Sequence, residues 1–357
     1  MINVTKTYLP PFEEYTALLK RAWDKGWITN SGDLAQELER KLKDYLAVEN
    51  LLFTCNGTIV LQMALKVLNI TKEVITTPFS YVATTNVILW EGCTPVFVDI
   101  DPLSLCIDAA KIEAAITADT EAILATHVYG IPCDIEAIDA IAKKYNLKVI
   151  YDAAHAFGCT YKDKSLLSYG DISTCSFHAT KVFHTGEGGC IIANDAEISG
   201  QLYLQRGFGH IGDDYFCVGI NAKSSEMHAA MGLCVLPKVQ EIIKGREIIF
   251  NLYSSLLNLE KIQLPVFDRN LQYNYAYYPV VFQAGEVLEK VRAQLLKQGI
   301  STRRYFYPSL NQLPFIDKMQ SCPVSEDVSK RVLSLPLFAD LPEADVCRIA
   351  NVINAIV

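Results

Sequence analysis

The sequence predicts an α/β protein with a large domain, in which helices flank a mostly parallel sheet, and a smaller α+β domain at the C-terminal end. Three observations support this fold class. The 357 residues are 50% hydrophobic, which is enough for a large core. Short β-rich runs alternate with helical segments from about residue 26, an order typical of a parallel sheet wrapped by helices. Near Pro237 the alternation gives way to one long helical segment.

The alternating region begins with a predicted helix over residues 33–46, where Leu34, Leu38, Leu42 and Leu46 recur on one face. The β-rich runs that follow are LLFTC, EVITTPF, PVFVDI, EAILATHVYG, LKVIYDA, STCSF and GGCIIAND. Helical segments such as IVLQMALKVL and DIEAIDAIAKKY separate them. In an open sheet of this kind ligands bind at the carboxyl ends of the strands, so functional residues are expected in the loops that end strands.

The smaller domain is predicted from four segments in the last third of the chain. They are a helix over 237–257, the β-rich run YAYYPVVF, an apolar helix around 287–298 and the run VLSLPLF. We therefore predict a large domain over residues 1–236 and a small domain over 237–357. No flexible Gly/Ser linker marks the boundary between them.

Charge and cysteine usage exclude several classes of partner. The net charge is −8 and no run of Lys or Arg is long enough to follow a phosphate backbone, so we expect no nucleic-acid partner. The eleven cysteines form no CxxC pair and no cluster at metal-ligand spacing, which predicts reduced thiols in a cytoplasmic protein and no metal site. No apolar run approaches the ~20 residues of a membrane helix, and no charged-then-apolar leader opens the chain, so no membrane partner is expected.

The first strand-ending loop is CNGT, which runs directly into a helix. Gly57 permits close backbone approach and Thr58 brings a hydroxyl. The free N–H groups of the first helical turn suit a phosphate. An ordinary helix N-cap is the alternative interpretation.

The second loop is DAAHAFG, in which Asp152 ends the run LKVIY and His155 follows. A carboxylate at a buried strand end needs a cation or several donors to offset its desolvation. A protonated ring nitrogen of a cofactor is one such cation. A carboxylate that caps the following turn is the alternative.

The third loop is SFHATKVFHTGEGG, with Ser176 at its start and Lys181 at its centre. We expect partial burial to lower the pKa of the Lys181 amine, as a nucleophile toward an aldehyde requires. The glycines at 186, 188 and 189 are expected to let the backbone pass close to a bound ring. A solvated surface lysine is the alternative.

Together the three loops offer what pyridoxal 5′-phosphate (PLP) requires, namely anchors for a phosphate, a ring nitrogen and an aldehyde. Further motifs share this order along the chain. They are WITNSG (27–32), TPFSYVATTN (77–86), PVFVDID (95–101), HVYGIPCDIEAI (127–138) and GINAKSSEMHAAMG (219–232). With them the chain resembles, over nearly its whole length, the DegT/DnrJ/EryC1/StrS family of sugar aminotransferases, which have the aspartate aminotransferase fold (fold type I).

The resemblance implies a role for each of the loop residues. Lys181 would be the lysine that forms the Schiff base with PLP, and Asp152 the partner of the pyridine nitrogen. Gly57, Thr58 and Ser176 would hold the phosphate. Some members of the family have His in place of the lysine and are dehydratases; this chain keeps the lysine.

Four further positions follow from the same resemblance. Tyr81 would stack on the ring, and His155 stands near the ring hydroxyl, where the family often has Gln. Asn221 matches a residue that reaches the phosphate of the neighbouring subunit, which implies a homodimer with shared active sites. Lys223 stands where the family often has Arg, so that a bidentate contact would become a point charge.

For substrates, the resemblance implies L-glutamate as amino donor and a nucleotide-linked ketosugar as acceptor. Similarity in GINAKSSEMHAAMGL and RRYFYPSL favours C4 of dTDP-4-keto-6-deoxyglucose. Amination at C3 and a UDP-linked 4-ketosugar remain alternatives. His178, Arg303 and Arg304 are candidate substrate contacts. A PLP-binding regulatory protein without turnover is the alternative of another class, whereas an NAD-linked dehydrogenase lacks the GxGxxG signature.

Overall fold

The computed structural model describes residues 1–316 and 320–357. Within them the α-helices are α1 (Phe12–Lys25), α2 (Asp33–Leu46), α3 (Gly57–Val67), α4 (Val82–Trp90), α5 (Ala109–Ala115), α6 (Ile135–Tyr145), α7 (Ala196–Arg206), α8 (Glu226–Val235), α9 (Val239–Leu256), α10 (Gly285–Lys297), α11 (Pro323–Arg331) and α12 (Glu343–Asn354). The strands are β1 (Leu51–Thr54), β2 (Glu73–Thr76), β3 (Thr94–Phe97), β4 (Thr120–Thr126), β5 (Lys148–Asp152), β6 (Thr160–Tyr161), β7 (Lys164–Ser165), β8 (Ile172–Ser176), β9 (Gly189–Ala193), β10 (His210–Ile211), β11 (Asp214–Tyr215), β12 (Ile262–Gln263), β13 (Leu271–Gln272), β14 (Tyr278–Phe282) and β15 (Val332–Leu335).

The central sheet has seven strands in the order β1-β9-β8-β5-β4-β2-β3. Strands β3, β2, β4, β5 and β8 run parallel to one another, whereas β9 is antiparallel to both β1 and β8. Helices α4, α5 and α6 connect β2, β3, β4 and β5 in turn, whereas the connection from β5 to β8 runs through β6, β7 and a short 3-10 turn. The predicted fold class, with its mostly parallel sheet, is confirmed.

Apolar side chains cover both faces of the central sheet. The helix predicted over residues 33–46 is α2, and its four leucines are buried on one face. On the other face α3 packs against β8 and β9 and buries an apolar stripe there. Helices on both faces explain why the strands read as continuous apolar runs rather than alternating ones.

A second, antiparallel sheet, β12-β14-β15, packs with α9, α10 and α12 around its own apolar core. Helix α9 begins directly after a short 3-10 turn that follows α8, so no linker precedes it. The division at residue 236/237 stays a prediction. The first residues of the chain contact the C-terminal part, since Ile2 N–H donates to Gly299 O at 2.8 Å and Leu337 N–H donates to Val4 O at 3.0 Å.

One edge of the central sheet gathers the ends of several strands. Thr126 at the end of β4 pairs in register with Asp152 at the end of β5. Because β9 runs in the opposite direction, its first residue, Gly189, lies beside both Ser176 and Thr54, the last residues of β8 and β1. The three loops singled out in the sequence therefore leave the sheet at the same edge.

Candidate active site

A cavity of about 590 Å³ lies at this edge of the sheet. Nine of the twelve residues predicted to bind cofactor or substrate line it. They are Gly57, Thr58, Tyr81, Asp152, His155, Ser176, His178, Lys181 and Arg303. Residues distant in sequence complete the wall, among them Asn3, Thr5, Tyr277, Ser301, Tyr305 and Phe306.

The Asp152 carboxylate is buried at the end of β5, with 6% of the residue exposed. Thr84 Oγ1 donates to its Oδ2 at 2.8 Å and Ala154 N–H donates to its Oδ1 at 3.1 Å. Ser80 Oγ in turn contacts Thr84 Oγ1 at 2.8 Å and Thr126 Oγ1 at 3.0 Å. Burial raises the pKa of Asp152, and the hydrogen bonds from Thr84 and Ala154 and the charge of Lys181 only partly oppose that rise.

The loop that carries Lys181 connects β8 to β9, two adjacent antiparallel strands. Three backbone hydrogen bonds close it, from Phe177 N–H to Gly188 O, from Thr185 N–H to Phe177 O and from Ala179 N–H to Gly186 O, at 2.8, 2.9 and 2.8 Å. The position of the lysine backbone is thus fixed at both ends of the loop.

Two of the glycines in this loop are required by the protein itself. A Cβ on Gly188 would lie 2.1 Å from Thr185 Oγ1, and one on Gly189 would lie 2.7 Å from Asn56 O. Gly186 adopts a φ of 81°, which a side chain disfavours. At Gly188 and Gly189 these contacts correct the expectation that the glycines make room for a ring, because neighbouring protein atoms fill the space that the two residues leave.

The Lys181 amine points into the cavity, where its Nζ lies 3.4 Å from the Tyr277 hydroxyl oxygen. Burial lowers the pKa of this amine, but Tyr277 and Asp152 together outweigh burial and leave the pKa above its ordinary value. The expectation of a lowered pKa is therefore wrong for the protein without cofactor. The amine is an ammonium at neutral pH, with the Tyr277 hydroxyl within hydrogen-bond distance and the charge of Asp152 nearby.

His155 is buried at the back of the cavity and is neutral. Its Nδ1 accepts a hydrogen bond from Tyr129 N–H at 3.1 Å, which assigns the ring proton to Nε2. Burial, and next the charge of Lys181, hold the pKa of His155 well below its usual value. Phe306 stacks on the imidazole at 5.6 Å between ring centroids. The ring is thereby oriented as a hydrogen-bond donor through Nε2, the same capacity that a Gln amide would offer.

The N-terminus of α3 forms the opposite end of the cavity. Asn56 Oδ1 accepts hydrogen bonds from Thr58 N–H and Ile59 N–H, both at 2.9 Å. The expectation that these two amides are free to bind a phosphate is therefore wrong. Gly57 packs so closely on Ser176 that a Cβ there would lie 2.6 Å from Ser176 Cβ. The result is a cradle, formed by Asn56–Thr58 and Ser176, that presents two hydroxyls at a helix N-terminus.

Three more predicted residues lie toward the opening of the cavity. Tyr81 is 56% exposed and precedes the first residue of α4. His178 is exposed, with Nδ1 2.8 Å from Thr180 Oγ1. The Arg303 guanidinium lies 5.4 Å from the Tyr305 ring centroid. All three are placed to contact a ligand that extends out of the cavity.

The remaining three predicted residues do not line the cavity. Asn221 is exposed and pairs with Gly207 in an isolated bridge. Lys223 Nζ lies 4.9 Å from the Phe208 ring centroid. Arg304 points away and pairs with Glu289 at 3.1 Å. In one chain these side chains are separate from the cavity.

His127 and His184, two histidines near the site in sequence, have structural partners. His127 Nδ1 accepts from Cys133 N–H at 3.1 Å, and its ring stacks on Tyr151 at 4.4 Å. His184 Nε2 lies 2.7 Å from Tyr8 O. Within the part of the chain that the structure describes, no group of three or more His, Cys, Asp or Glu is arranged to hold a metal ion. No helix of residues 1–316 and 320–357 is long and apolar enough to cross a membrane.

Sequence reasoning missed Thr84, Tyr277, Tyr305 and Phe306 as residues of the site. Thr84 belongs to the motif TPFSYVATTN, and its helical position after a strand end is a signal that could have found it. The three aromatic residues come from the C-terminal part of the chain, where no local pattern distinguishes a cavity wall from an apolar core.

Comparison with known proteins agrees with this geometry. A dTDP-4-amino-4,6-dideoxy-D-glucose transaminase of Shigella dysenteriae is 40% identical over 347 residues, which cover 95% of each chain. A protein of the same name from Escherichia coli is 40% identical over 363 residues, covering 99% of this chain and 98% of the relative. The crystal structure of DesI in the presence of its TDP-sugar product matches with a TM-score of 0.93 and 31% identity, covering 99% of this chain and 91% of DesI.

The enzyme class predicted from the sequence, a sugar aminotransferase, is confirmed by these relatives. The model of the DegT/DnrJ/EryC1/StrS aminotransferase family also matches the chain, over residues 12–354. This chain belongs to the DegT/DnrJ/EryC1/StrS aminotransferase family.

Proposed function

We propose that this protein is a PLP-dependent aminotransferase that transfers the amino group of L-glutamate to C4 of dTDP-4-keto-6-deoxy-D-glucose. The product is a dTDP-4-amino-4,6-dideoxyhexose for a surface polysaccharide or an antibiotic sugar. One observation carries the proposal: a single cavity contains the Lys181 amine, the buried Asp152 carboxylate and the cradle at Gly57. The names of the two 40% identical relatives support the sugar and the carbon.

The residues of the cavity fit PLP at both ends. In the cradle, the missing Cβ of Gly57 lets two hydroxyls and a helix N-terminus converge, which suits a phosphate. At the other end, two hydrogen bonds only partly offset the burial of the Asp152 carboxylate. A protonated pyridine nitrogen supplies the cation that such a carboxylate needs.

The chain's own residues then orient the cofactor. With PLP bound, the Thr58 and Ser176 hydroxyls would hold the phosphate, Tyr81 would contact the ring, and the Nε2–H of His155 would be available as a donor to it. Asp152 would hold the proton on the ring nitrogen, assisted by the hydrogen bond from Thr84.

Lys181 carries the chemistry in both halves of the reaction. PLP, when bound, supplies a conjugated ring that accepts the electron pair left at the amino-bearing carbon. Lys181 would anchor the cofactor covalently until the amino donor replaces it. Released as the neutral amine, its Nζ would then take the proton from the α-carbon of the donor and later deliver a proton to C4 of the sugar. Glutamate leaves as 2-oxoglutarate, and the amine replaces the carbonyl oxygen of the sugar.

Among the candidate substrate contacts we favour Arg303 and His178, which line the cavity. A guanidinium can bind the sugar diphosphate or a donor carboxylate through two parallel hydrogen bonds. Arg304 is already paired with Glu289 and stacked on Tyr307, so it is the weaker candidate.

We also propose a homodimer in which Asn221, and with it Lys223, act in the site of the neighbouring subunit. The support is the location of Asn221 beside an exposed apolar hairpin formed by β10 and β11. Ile211, Tyr215 and Val218 in and beside this hairpin are 59, 77 and 78% exposed in one chain. We place the enzyme in the cytoplasm, since all eleven cysteines are free thiols.

Two measurements test the function. The purified protein with PLP should be yellow, and L-glutamate should bleach the colour; colour without a response to any amino donor would favour a regulatory protein instead. The enzyme should then be given dTDP-4-keto-6-deoxyglucose, its 3-keto isomer and a UDP-linked 4-ketosugar separately. NMR of each product locates the new amine, and amination at C3 would refute the C4 assignment.

Lys181→Ala should abolish turnover without unfolding the protein. The variant is expected to retain the circular dichroism spectrum of the wild type, because the loop backbone is closed by its own hydrogen bonds. Measurable transamination by this variant would remove the central assignment.

A further inference from the structure

Tyr277 is placed between two of the functional side chains of the cavity. Its hydroxyl oxygen lies 3.4 Å from Lys181 Nζ, although 96 residues separate the two in sequence. Its ring meets the His155 imidazole edge-on, with 4.9 Å between centroids. The phenol therefore bridges the amine and the neutral imidazole at the centre of the site.

The segment that carries Tyr277 is held from two sides. Arg246 Nη1 donates to Ala276 O at 3.2 Å and to Leu337 O at 3.0 Å. Tyr273 Oη donates to Tyr277 O at 3.3 Å. Arg246 is 3% exposed and forms no ion pair with any residue of the described ranges. A buried guanidinium without a counter-ion is energetically costly. Because Arg246 nevertheless donates to the carbonyl of Ala276, next to Tyr277, we infer that the position of this segment is important for the site.

We propose that Tyr277 is a positioning residue whose hydroxyl receives the Lys181 amine whenever that amine is not joined to the cofactor. The inference rests on the proposed role of Lys181. A lysine side chain has four rotatable carbon–carbon bonds. An amine that is not joined to the cofactor therefore occupies many positions unless a partner holds it. Tyr277 would keep the amine at one place in the cavity, ready for the proton transfer proposed for it.

The charges around Lys181 predict how the loss of this hydroxyl changes its protonation. The groups that raise the pKa of Lys181 are Tyr277, Asp152 and Cys175, and burial opposes them. The ammonium in turn acts on His155 and Tyr305, the other titratable groups that face it. Without the Tyr277 hydroxyl, the lowering effect of burial is less opposed, so the pKa of Lys181 should fall.

The test measures the rate at which acetic anhydride modifies Lys181, followed by peptide mass spectrometry from pH 7 to 11. Wild type and Tyr277→Phe are compared in the full-length protein freed of cofactor, and again saturated with pyridoxamine phosphate, where the lysine is also uncombined. We expect the Phe variant to shift the midpoint of the profile down by about one pH unit. At pH 8 this corresponds to about tenfold faster modification.

Tyr305→Phe is the matched control. Tyr305 lines the same cavity with its ring centroid 5.6 Å from that of Tyr277, and its hydroxyl forms no hydrogen bond with Lys181 among the described residues. Superimposable profiles for wild type and Tyr277→Phe, or an equal shift in Tyr305→Phe, would overturn the proposal. If Tyr277→Phe loses the wild-type circular dichroism spectrum, Tyr277→His retains a ring with a hydrogen-bonding nitrogen. It should give a midpoint close to that of the wild type, and a midpoint lowered by a full pH unit would count against the proposal.

This experiment separates the proposal from the proposed function. The cofactor-free arm reports on the Lys181 amine even if the protein transfers no amino group. A failure of pyridoxamine phosphate to bind would weaken the assignment of the enzyme and leave the contact with Tyr277 still measurable.

Discussion

The Asp152 carboxylate and the hydroxyls around it show how single residues set the chemistry of the site. Thr84 donates directly to Oδ2, and Ser80 and Thr126 continue the chain of hydroxyls behind it. Such a chain favours the charged form of a buried carboxylate. We therefore expect the affinity for cofactor to depend on Thr84 as well as on Asp152.

Replacement of Thr84 by Val tests this expectation. The variant keeps the shape of the side chain but removes the 2.8 Å hydrogen bond, so the pKa of Asp152 rises and its hold on a protonated ring nitrogen weakens. We expect a loss of about 1.5–3 kcal/mol in cofactor binding, roughly 10- to 150-fold in Kd, measured by absorbance titration with PLP.

Thr85→Val is the control for this variant. Thr85 is the next residue of α4, and its buried hydroxyl has no hydrogen-bond partner among the described residues. Its removal should leave cofactor affinity unchanged. Equal losses of cofactor affinity in both variants would show that any substitution in this part of α4 weakens binding. The hydrogen bond from Thr84 to Asp152 would then not be the cause.

How far the sequence predicts the site follows from the separation of the contacting residues. Lys181, Asp152 and Gly57 could be predicted because each lies at the end of a strand or within a few residues after it. The contacts of Thr84 with Asp152 and of Tyr277 with Lys181 join residues 68 and 96 positions apart. Such pairs depend on how helices and sheets pack, which a local pattern does not specify. The pKa of Lys181 was mispredicted for the same reason, since the phenol that raises it comes from the C-terminal part.

Among the secondary-structure elements, α2 and α8 are joined by an unusual cap. Glu226, the first residue of α8, is 1% exposed, and its carboxylate accepts hydrogen bonds from Leu34 N–H at 2.7 Å and Ala35 N–H at 3.0 Å. A carboxylate at a helix N-terminus satisfies free amides and complements the helix dipole. Gly32 leaves room for it, since a Cβ there would lie 2.7 Å from Glu226 Cδ. The cap links the motif WITNSG to the motif GINAKSSEMHAAMG, which carries Asn221.

Glu226→Gln should destabilise this junction. The amide group of Gln can accept only through its oxygen, so one of the two helix N–H groups loses its acceptor in a buried place. We expect the free energy of unfolding to fall by about 1–3 kcal/mol in urea titrations.

An exposed glutamate provides the comparison. Glu241 pairs with Lys238 at 3.2 Å on the surface of α9, and Glu241→Gln should change stability by less than about 0.5 kcal/mol. A Glu226→Gln variant as stable as the Glu241→Gln variant would contradict the importance of the cap.

The molecule as a whole contains several histidines that are buried in the neutral state. His127 has no exposed surface, and burial lowers its pKa from 6.5 to about 3. His155 and His184 are shifted in the same direction. Below about pH 6.5 these histidines bind protons in the unfolded chain but stay neutral in the folded one. Their contribution to the free energy of unfolding is therefore fully present above about pH 6.5 and is lost as the pH falls toward 3.

Urea unfolding at fixed protein concentration should therefore give a lower stability at pH 5 than at pH 7. Between these values His127 alone should contribute a loss of about 2 kcal/mol, because each pH unit below its unfolded pKa corresponds to about 1.4 kcal/mol. His127→Asn should reduce the slope of stability against pH by about one proton, even if it lowers stability at pH 7. An unchanged slope would show that His127 is not the group that titrates.

The exposed hairpin of β10 and β11 allows a prediction about assembly. Tyr215→Asp combined with Val218→Asp places two charges on the proposed interface and should convert the proposed dimer to monomer in sedimentation experiments. Turnover should fall with it, because Asn221 would lose the role proposed for it in a neighbouring site. Leu296→Asp, at a 59% exposed leucine of α10, should leave both properties as they are. A dimer that survives the double substitution would place the interface elsewhere.

The closed loop between β8 and β9 has a mechanical consequence. Both ends of this loop continue into adjacent paired strands, and its own hydrogen bonds hold the backbone at Lys181. Motion at this position is therefore expected mainly in the side chain. In the proposed reaction the Lys181 amine serves the cofactor, the donor and the sugar in turn, so every reacting atom has to come within the length of its side chain. We therefore expect the ligands, rather than the backbone around the lysine, to move during the reaction.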